Sequence, residues 1–189
     1  MIDAGTLQPA LGGSDDQAAR ATVTVGMTVA LAALAMTFAA LLLAYAIVRV
    51  QAPAWPPPGE APLPPLWGLR LGATVAALAG SWAMRAVGGG ARPARALMAA
   101  TAAGIAFLAL QGASLHALGA AGVHPGSGLA ASVVYALTAF HGLHALVAVL
   151  LSLASLVRLP RQARLLAVVA FWHLVTIVWL VVFGAVFVA

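Results

Sequence analysis

Four uninterrupted apolar segments constrain the fold of this chain more than any other feature. They cover residues 23–48, 96–118, 129–157 and 165–188. A helix needs about 20 apolar residues to cross a bilayer, so each segment is long enough to span it. A fifth segment, residues 66–87, is interrupted by Arg70 and Arg85, but long arginine side chains can extend to the headgroups. The sequence therefore predicts an all-α, polytopic membrane protein whose single domain, residues 23–189, is a five-helix transmembrane bundle.

The composition excludes a soluble globular domain and several kinds of active site. The chain is 63% hydrophobic and 7% charged, whereas about a quarter of the residues in ordinary soluble proteins are charged. The apolar runs are continuous rather than alternating, which argues against transmembrane strands. The chain contains no cysteine, so a thiolate metal site and a cysteine nucleophile are excluded. Its net charge of +5 is spread too thinly for a nucleic-acid surface, and we expect no nucleic-acid partner.

The distribution of arginine predicts the orientation of the bundle. With five spans, seven of the nine arginines fall on the side of the N-terminus and two on the other side. Cytoplasmic loops carry the excess of basic residues, so we predict a cytoplasmic N-terminus and an outside C-terminus. Residues 1–22 are predicted to be a disordered cytoplasmic tail. The first loop is a Pro-rich crossover on the outside, in which Trp55 suits the headgroup layer.

Acidic residues are almost absent from the predicted spans. After Glu60 the remaining 129 residues contain no carboxylate, and none lies between Asp16 and Glu60. A carboxylate dyad is therefore excluded, and a Ser/His/Asp arrangement lacks its acid inside the membrane. Ion-coupled transporters usually need titratable groups at depth, which disfavours a transporter. We expect no catalytic residue in this chain.

Three histidines lie within the predicted spans. His141 and His144 are spaced i,i+3 on one helix, and His173 is on the last helix. One hypothesis is a haem-bearing anchor in which His141 and His173 ligate a haem between them. The favoured interpretation is that the imidazoles bond to backbone carbonyls, to neighbouring hydroxyls or to headgroups. Tyr135 and Thr138, on the same helix as His141, are candidate local partners.

The remaining polar and aromatic residues of the spans predict packing rather than chemistry. Trp172, Thr176 and Trp179 form one stripe on the last helix, and Gln111 is expected to hydrogen-bond across helices. Glycines within the spans allow helices to approach closely; they include Gly72, Gly80, Gly104 and Gly112. We expect no metal-binding or cofactor-binding residue. The residues predicted to contact lipid or a helix interface are Trp55, Gln111, His141, His144, Trp172, His173 and Trp179.

Several blocks of this sequence resemble one family, subunit III of the haem–copper terminal oxidases, which act on cytochrome c or quinol. The most specific blocks are Leu-Thr-Ala-Phe-His-Gly-Leu-His at residues 137–144 and Phe-Trp-His-Leu-Val-Thr-Ile-Val-Trp at residues 171–179. The Trp-Pro-Pro-Pro-Gly crossover at residues 55–59 strengthens them, and residues 44–49 and Gln111 are weaker matches. The likeness covers about residues 25–189, and the chain resembles the five-helix form of the family.

The resemblance implies a non-catalytic accessory subunit of a respiratory oxidase, which couples oxygen reduction to proton translocation. It implies as partners the catalytic subunit I, which holds haem and copper, and subunit II, with structural phospholipid, in a bacterial-type inner (plasma) membrane. A related placement is the subunit III-like component of a nitric oxide reductase system. Similar proteins carry acids where this chain has Leu34, Ser114 and Thr176. These substitutions count against the family's assistance in proton supply, but not against its scaffold and lipid roles.

Overall fold

The computed structural model describes residues 8–88, 93–158 and 162–188, with only the backbone at residues 8–16 and 18–20. These ranges form five helices and contain no strand. The helices are α1 (Gln8–Gln51), α2 (Trp67–Gly88), α3 (Pro93–Ala120), α4 (Leu129–Val157) and α5 (Gln162–Phe183). A π-helical turn at Gly184–Val188 extends α5. The all-α, five-helix architecture predicted from the sequence is confirmed.

Four of the helices are long and apolar enough to cross a membrane. They are Ala21–Gln51 within α1, Pro93–Ala120, Leu129–Val157 and the combined segment Gln162–Val188. α2 has 22 residues, a length of about 33 Å that matches the hydrocarbon core. Its two arginines lower its hydropathy, so the crossing by α2 stays a prediction.

The first helix begins earlier than we predicted. Residues 8–22, which we predicted to be disordered as part of the tail 1–22, are helical and continuous with the rest of α1. Residues 17–20 are Gln-Ala-Ala-Arg, all good helix formers. Since extending an existing helix costs far less than nucleating one, the apolar span can propagate the helix into this segment. Residues 1–7 lie outside the described residues.

Four helices form a closed ring, and α1 packs on its outside. Around the ring α2 contacts α3, α3 contacts α4, α4 contacts α5, and α5 contacts α2 again. α1 packs chiefly on α5. No side chain of residues 21–37 is fully buried, and among the side chains of α1 that the structure describes only Phe38 and Tyr45 are buried. The first half of α1 therefore has little packing within the chain.

Two of the glycines bring helices into close contact, as the sequence predicted. A Cβ atom at Gly80 would come within 2.7 Å of the Trp172 ring, and a Cβ at Gly104 would come within 2.5 Å of the Val149 side chain. A larger residue at either position would push α2 or α3 away from its neighbours. Gly112 makes no such approach within the part of the chain that the structure describes, because a Cβ there meets no atom within 4 Å. Gly112 lies on the exposed face of α3.

Candidate functional site

Trp172 is an internal anchor of the ring and does not face lipid. Its side chain is 4% exposed, and its indole lies against the two close-approach glycines, Gly80 and Gly104. The indole nitrogen donates to the Ala148 carbonyl at 3.1 Å and to the Ser152 hydroxyl at 2.7 Å. A buried tryptophan usually needs such a partner. Trp172 therefore joins α5 to α4 by hydrogen bonds and to α2 and α3 by packing.

Trp179, two turns later on the same helix, is also enclosed. It is fully buried, and its indole nitrogen donates to the Thr74 hydroxyl on α2 at 3.0 Å. Its ring centroid is 5.1 Å from that of Phe107 and 5.4 Å from that of His141. The predicted stripe on α5 is thus a packing stripe that faces the interior of the ring. A direct lipid contact at Trp172 or Trp179 is excluded by this burial.

His141 is enclosed by aromatic rings. It is 1% exposed, and the centroids of Phe38, Phe107 and Trp179 lie 6.0, 5.5 and 5.4 Å from its own. Its Nδ1 atom has no hydrogen-bond partner among the described residues. His141 therefore differs from our expectation of a carbonyl, hydroxyl or headgroup partner at that nitrogen.

The two predicted local partners bond elsewhere. The Thr138 hydroxyl donates to the Val134 carbonyl at 2.6 Å. The Tyr135 hydroxyl lies 2.9 Å from the Val123 carbonyl and 3.1 Å from the Leu115 carbonyl. Both hydroxyls satisfy backbone carbonyls, so this part of the prediction was wrong. Threonine commonly bonds to the carbonyl one turn earlier in a helix, which sequence spacing cannot distinguish from a bond to histidine.

The other two membrane histidines have the kinds of partner that we expected. His144 Nδ1 lies 2.8 Å from the Phe140 carbonyl, one turn earlier on α4. His173 Nδ1 lies 2.6 Å from the Ser81 hydroxyl on α2. Both side chains are half-buried. His173 therefore connects α5 to α2, and each imidazole keeps some surface at the outside of the ring.

The geometry disfavours a haem held between His141 and His173. His173 points to Ser81 on α2, whereas His141 packs against Phe107, Trp179 and Phe38. The cavity beside His141 has a volume of about 20 Å³, far below that of a porphyrin. Within the described ranges, no three His, Asp or Glu side chains are grouped closely enough to hold a metal ion.

Gln111 is buried but does not make the full set of contacts that we predicted. It is 5% exposed, and its Nε2 atom has no partner among the described residues. The Thr101 hydroxyl, on the same helix, is likewise buried without a partner in that part of the chain. The predicted bond from the Gln111 amide across to another helix is therefore not made by Nε2.

Trp55 belongs to a cluster at the end of α1. Its ring centroid is 5.6 Å from that of Tyr45, and the Arg49 guanidinium lies 5.8 Å from the Trp55 ring. Arg49 Nη1 donates to the Tyr45 hydroxyl at 2.5 Å, and that hydroxyl donates to the Ala185 carbonyl at 3.1 Å. The half-buried Trp55 side chain thus packs against the Arg49 guanidinium and the Tyr45 ring, where α1 meets the end of α5.

Sequence reasoning missed the role of Glu60. This carboxylate accepts the backbone N–H groups of Leu129 at 2.6 Å and Ala130 at 2.9 Å, the first two residues of α4. Gly128, at the N-cap position, has no side chain to perform this task, and a carboxylate at a helix N-terminus is favourable. The sequence contained a clue to this contact. Glu60 is the last acid of the chain, and α4 begins after Gly128, which has no side chain to cap the helix.

An apolar groove runs between α1 and α4. It has a volume of about 400 Å³, and its lining includes Thr37, Leu41, Tyr45, Val133, Leu137 and Phe140. Tyr45 lies at the Arg49 end of the groove, since the two side chains are hydrogen-bonded. The groove lies beside the line along which Phe38 of α1 contacts α4, because α1 packs chiefly on α5.

A comparison with protein families matches residues 6–189 to the model of cytochrome c oxidase subunit III. The match covers nearly the whole chain. The chain belongs to the cytochrome c oxidase subunit III family. A search of curated proteins finds no match. Membership of the subunit III family makes the chain a multi-pass membrane protein that associates with other subunits of a haem–copper oxidase.

The three positions at which this subunit III chain lacks acids lie in packed surroundings. Leu34 packs at the edge of a core cluster that contains Phe38. Ser114 and Thr176 are 6% and 5% exposed, and the Thr176 hydroxyl lies 3.5 Å from the Ala77 carbonyl. Neutral side chains at these positions spare the chain the cost of burying carboxylates without cations.

Proposed function

We propose that this chain is a non-catalytic accessory subunit of a respiratory haem–copper oxidase. In this proposal it stabilises the catalytic subunit I, contacts subunit II, and binds phospholipid. The observation that carries the accessory-subunit role is the family match over residues 6–189. The lipid role is supported by the α1–α4 groove of about 400 Å³, one of whose lining residues, Tyr45, is bonded to Arg49. The oxygen chemistry and the haem and copper belong to the partner.

The groove suits a phospholipid acyl chain. Its described lining is apolar except for the hydroxyls of Thr37 and Tyr45, so it offers a hydrocarbon chain favourable contacts along its length. Arg49, bonded to Tyr45, places a positive charge near one end. Arginine binds phosphate well because its guanidinium presents several N–H donors in a planar fork.

The first half of α1 suits a helix of the catalytic subunit. Residues 21–37 contain no fully buried side chain in this chain, and they include Gly26 and several alanines and threonines. Small residues let helices approach closely, and helix association in lipid depends on such packing and on a few polar bonds. This half of α1 is therefore our candidate for the docking surface.

A proton-supply role is not part of the proposal. The chain has no acid after Glu60, and Glu60 itself is engaged at the start of α4. Two of the three membrane histidines, His144 and His173, are hydrogen-bonded to protein groups at Nδ1. The third, His141, is buried. We therefore assign this subunit a packing role.

Removal of the subunit from the purified oxidase tests the packing role. We expect lower thermal stability, faster loss of activity during turnover and lower lipid content. The initial rate of oxygen uptake, and its dependence on pH, should be nearly unchanged at matched haem content, because no proton-carrying acid is lost. A marked fall of the initial rate at alkaline pH would contradict the proposal, since it would mean that this chain feeds protons.

A substitution in the groove tests lipid binding separately. Leu41→Trp places a large ring in the groove, and Leu43→Trp places the same ring on the exposed face of the same helix. We expect Leu41→Trp to reduce the phospholipid retained per complex by about one molecule, while Leu43→Trp retains it. The measurement is native mass spectrometry of the purified complex. Equal retention in both variants would show that the groove holds no specific lipid.

A further inference from the structure

A small cavity lies inside the ring beside His141. Its volume is about 20 Å³, and its lining includes Gly104, Phe107, His141, Ala145, Trp172 and Thr176. Residues from α2, α3, α4 and α5 contribute to the lining. The cavity therefore lies where all four helices of the ring meet.

Two lining residues carry polar atoms that need a further partner. His141 Nδ1 is buried without a hydrogen-bond partner among the described residues. The Thr176 hydroxyl reaches the Ala77 carbonyl only at 3.5 Å, the long limit for a hydrogen bond. The indole nitrogen of Trp172, by contrast, is fully engaged with Ala148 and Ser152. Leaving a buried polar atom unsatisfied costs about 1–3 kcal/mol, so native interiors usually provide a partner.

The size of the cavity restricts what that partner can be. A water molecule needs a cavity of roughly 10–15 Å³, so this cavity of about 20 Å³ has room for one water. His141 and Thr176 both line this space, so a water placed in it lies beside both residues.

We propose that one water molecule occupies this cavity and bridges His141 Nδ1 to the Thr176 hydroxyl. Water can donate to an unprotonated Nδ1 or accept from a protonated one, so either tautomer of the imidazole is satisfied. The second water contact goes to the Thr176 hydroxyl, which also faces Ala77 on α2. The water thereby links α4 to α5, and through Thr176 to α2, at a depth where the other walls are apolar.

The alternative is that the cavity is dry. The mostly apolar lining of the cavity favours this alternative. Apolar cavities remain empty even when they are large enough for water. A dry void here, however, leaves the imidazole nitrogen of His141 without a partner, and that cost distinguishes this cavity from a purely apolar one.

The test uses the full chain in lipid bilayers, with ¹⁵N-labelled histidine and solid-state NMR that transfers magnetisation from water to imidazole nitrogens. His141→Asn identifies the His141 signals by their disappearance. We expect rapid transfer from an ordered water to His141 Nδ1 in the wild type. Thr176→Ser retains the hydroxyl and should keep the transfer, while the similarly sized Thr176→Val removes the second partner and should abolish it.

Two results would overturn the proposal. The first is absence of transfer at His141 in the wild type while the half-exposed His144 and His173 show it, which would establish a dry cavity. The second is equal transfer in the wild type and Thr176→Val, which would show a water that Thr176 does not hold. All three variants preserve the apolar surroundings of the site, and circular dichroism checks that each one folds.

Discussion

Trp172 packs between two glycines that belong to different helices. Its ring would collide with a Cβ atom at Gly80 on α2 or at Gly104 on α3. The same indole holds α4 through hydrogen bonds to Ala148 and Ser152. This one side chain of α5 thus sets the distances to three neighbouring helices, α2, α3 and α4. The ring fits between them because the positions facing it on α2 and α3 are glycines.

This arrangement predicts opposite effects for two glycine substitutions on α3. Gly104→Ala should destabilise the chain by about 1–3 kcal/mol, because overpacking forces the Trp172 ring and the Val149 side chain to move. Gly112→Ala adds the same methyl group in open space, so it should be neutral or stabilise by up to about 1 kcal/mol. The measurement is the unfolding midpoint of each purified variant in detergent. Equal loss of stability in both variants would contradict the role assigned to Gly104.

The sequence identified the important residues of the interior better than it identified their partners. The stripe that contains Trp172 and Trp179 followed from helical periodicity, because 3.6 residues per turn places such positions on one face. The Ser81 partner of His173 was not predictable, because the two residues are 92 positions apart. Local spacing suggested Tyr135 and Thr138 as partners for histidine, but nearby backbone carbonyls compete for the same hydroxyls.

At the scale of elements, the crossover loop is fastened to a distant helix by one side chain. Glu60 caps the N-terminus of α4, and Gly128 accommodates it, since a Cβ atom at Gly128 would collide with the carboxylate. Gly128 has a φ of 168°, an extended conformation open to any residue. Alanine at that position therefore disturbs the Glu60 contact without straining the backbone.

A double-mutant cycle tests this contact. Glu60→Ala should cost about 1–3 kcal/mol of unfolding free energy, because two N–H groups lose a charged acceptor. Gly128→Ala should also destabilise, because its methyl group displaces the carboxylate. The double variant should cost little more than Glu60→Ala alone, since the methyl group then meets no carboxylate. Fully additive losses, measured by the same unfolding assay, would mean that the two residues act independently.

The limits of sequence prediction differ from one helix to the next. α4 was predicted with the observed bounds, Leu129–Val157, because a glycine-rich turn precedes it and a basic segment follows. The start of α1 was wrong, because polarity alone suggested disorder where residues 17–20 favour helix. The packing of α1 on α5, and the groove that this leaves beside α4, depend on contacts far apart in sequence.

At the scale of the whole molecule, the structure brings the first and third loops to the same end of the bundle. Glu60 in the first loop reaches Leu129, which directly follows the third loop. This agrees with five crossings, in which those loops share one side. α2, which contains two arginines, determines whether the count is five. Without its crossing, the residues before and after it would lie on the same side.

Cysteine labelling of intact cells tests that count, since the chain has no cysteine of its own. With five crossings and the arginine-rich loops in the cytoplasm, single cysteines at Ala61 and Ala121 should react with a membrane-impermeant maleimide. Cysteines at Gly89 and Gln162 should react only after the membrane is opened. Labelling of Ala61 and Gly89 from the same side would show that α2 does not cross. In that case α2 would have to pack against α3 and α5 without spanning the bilayer, and the chain would cross it four times.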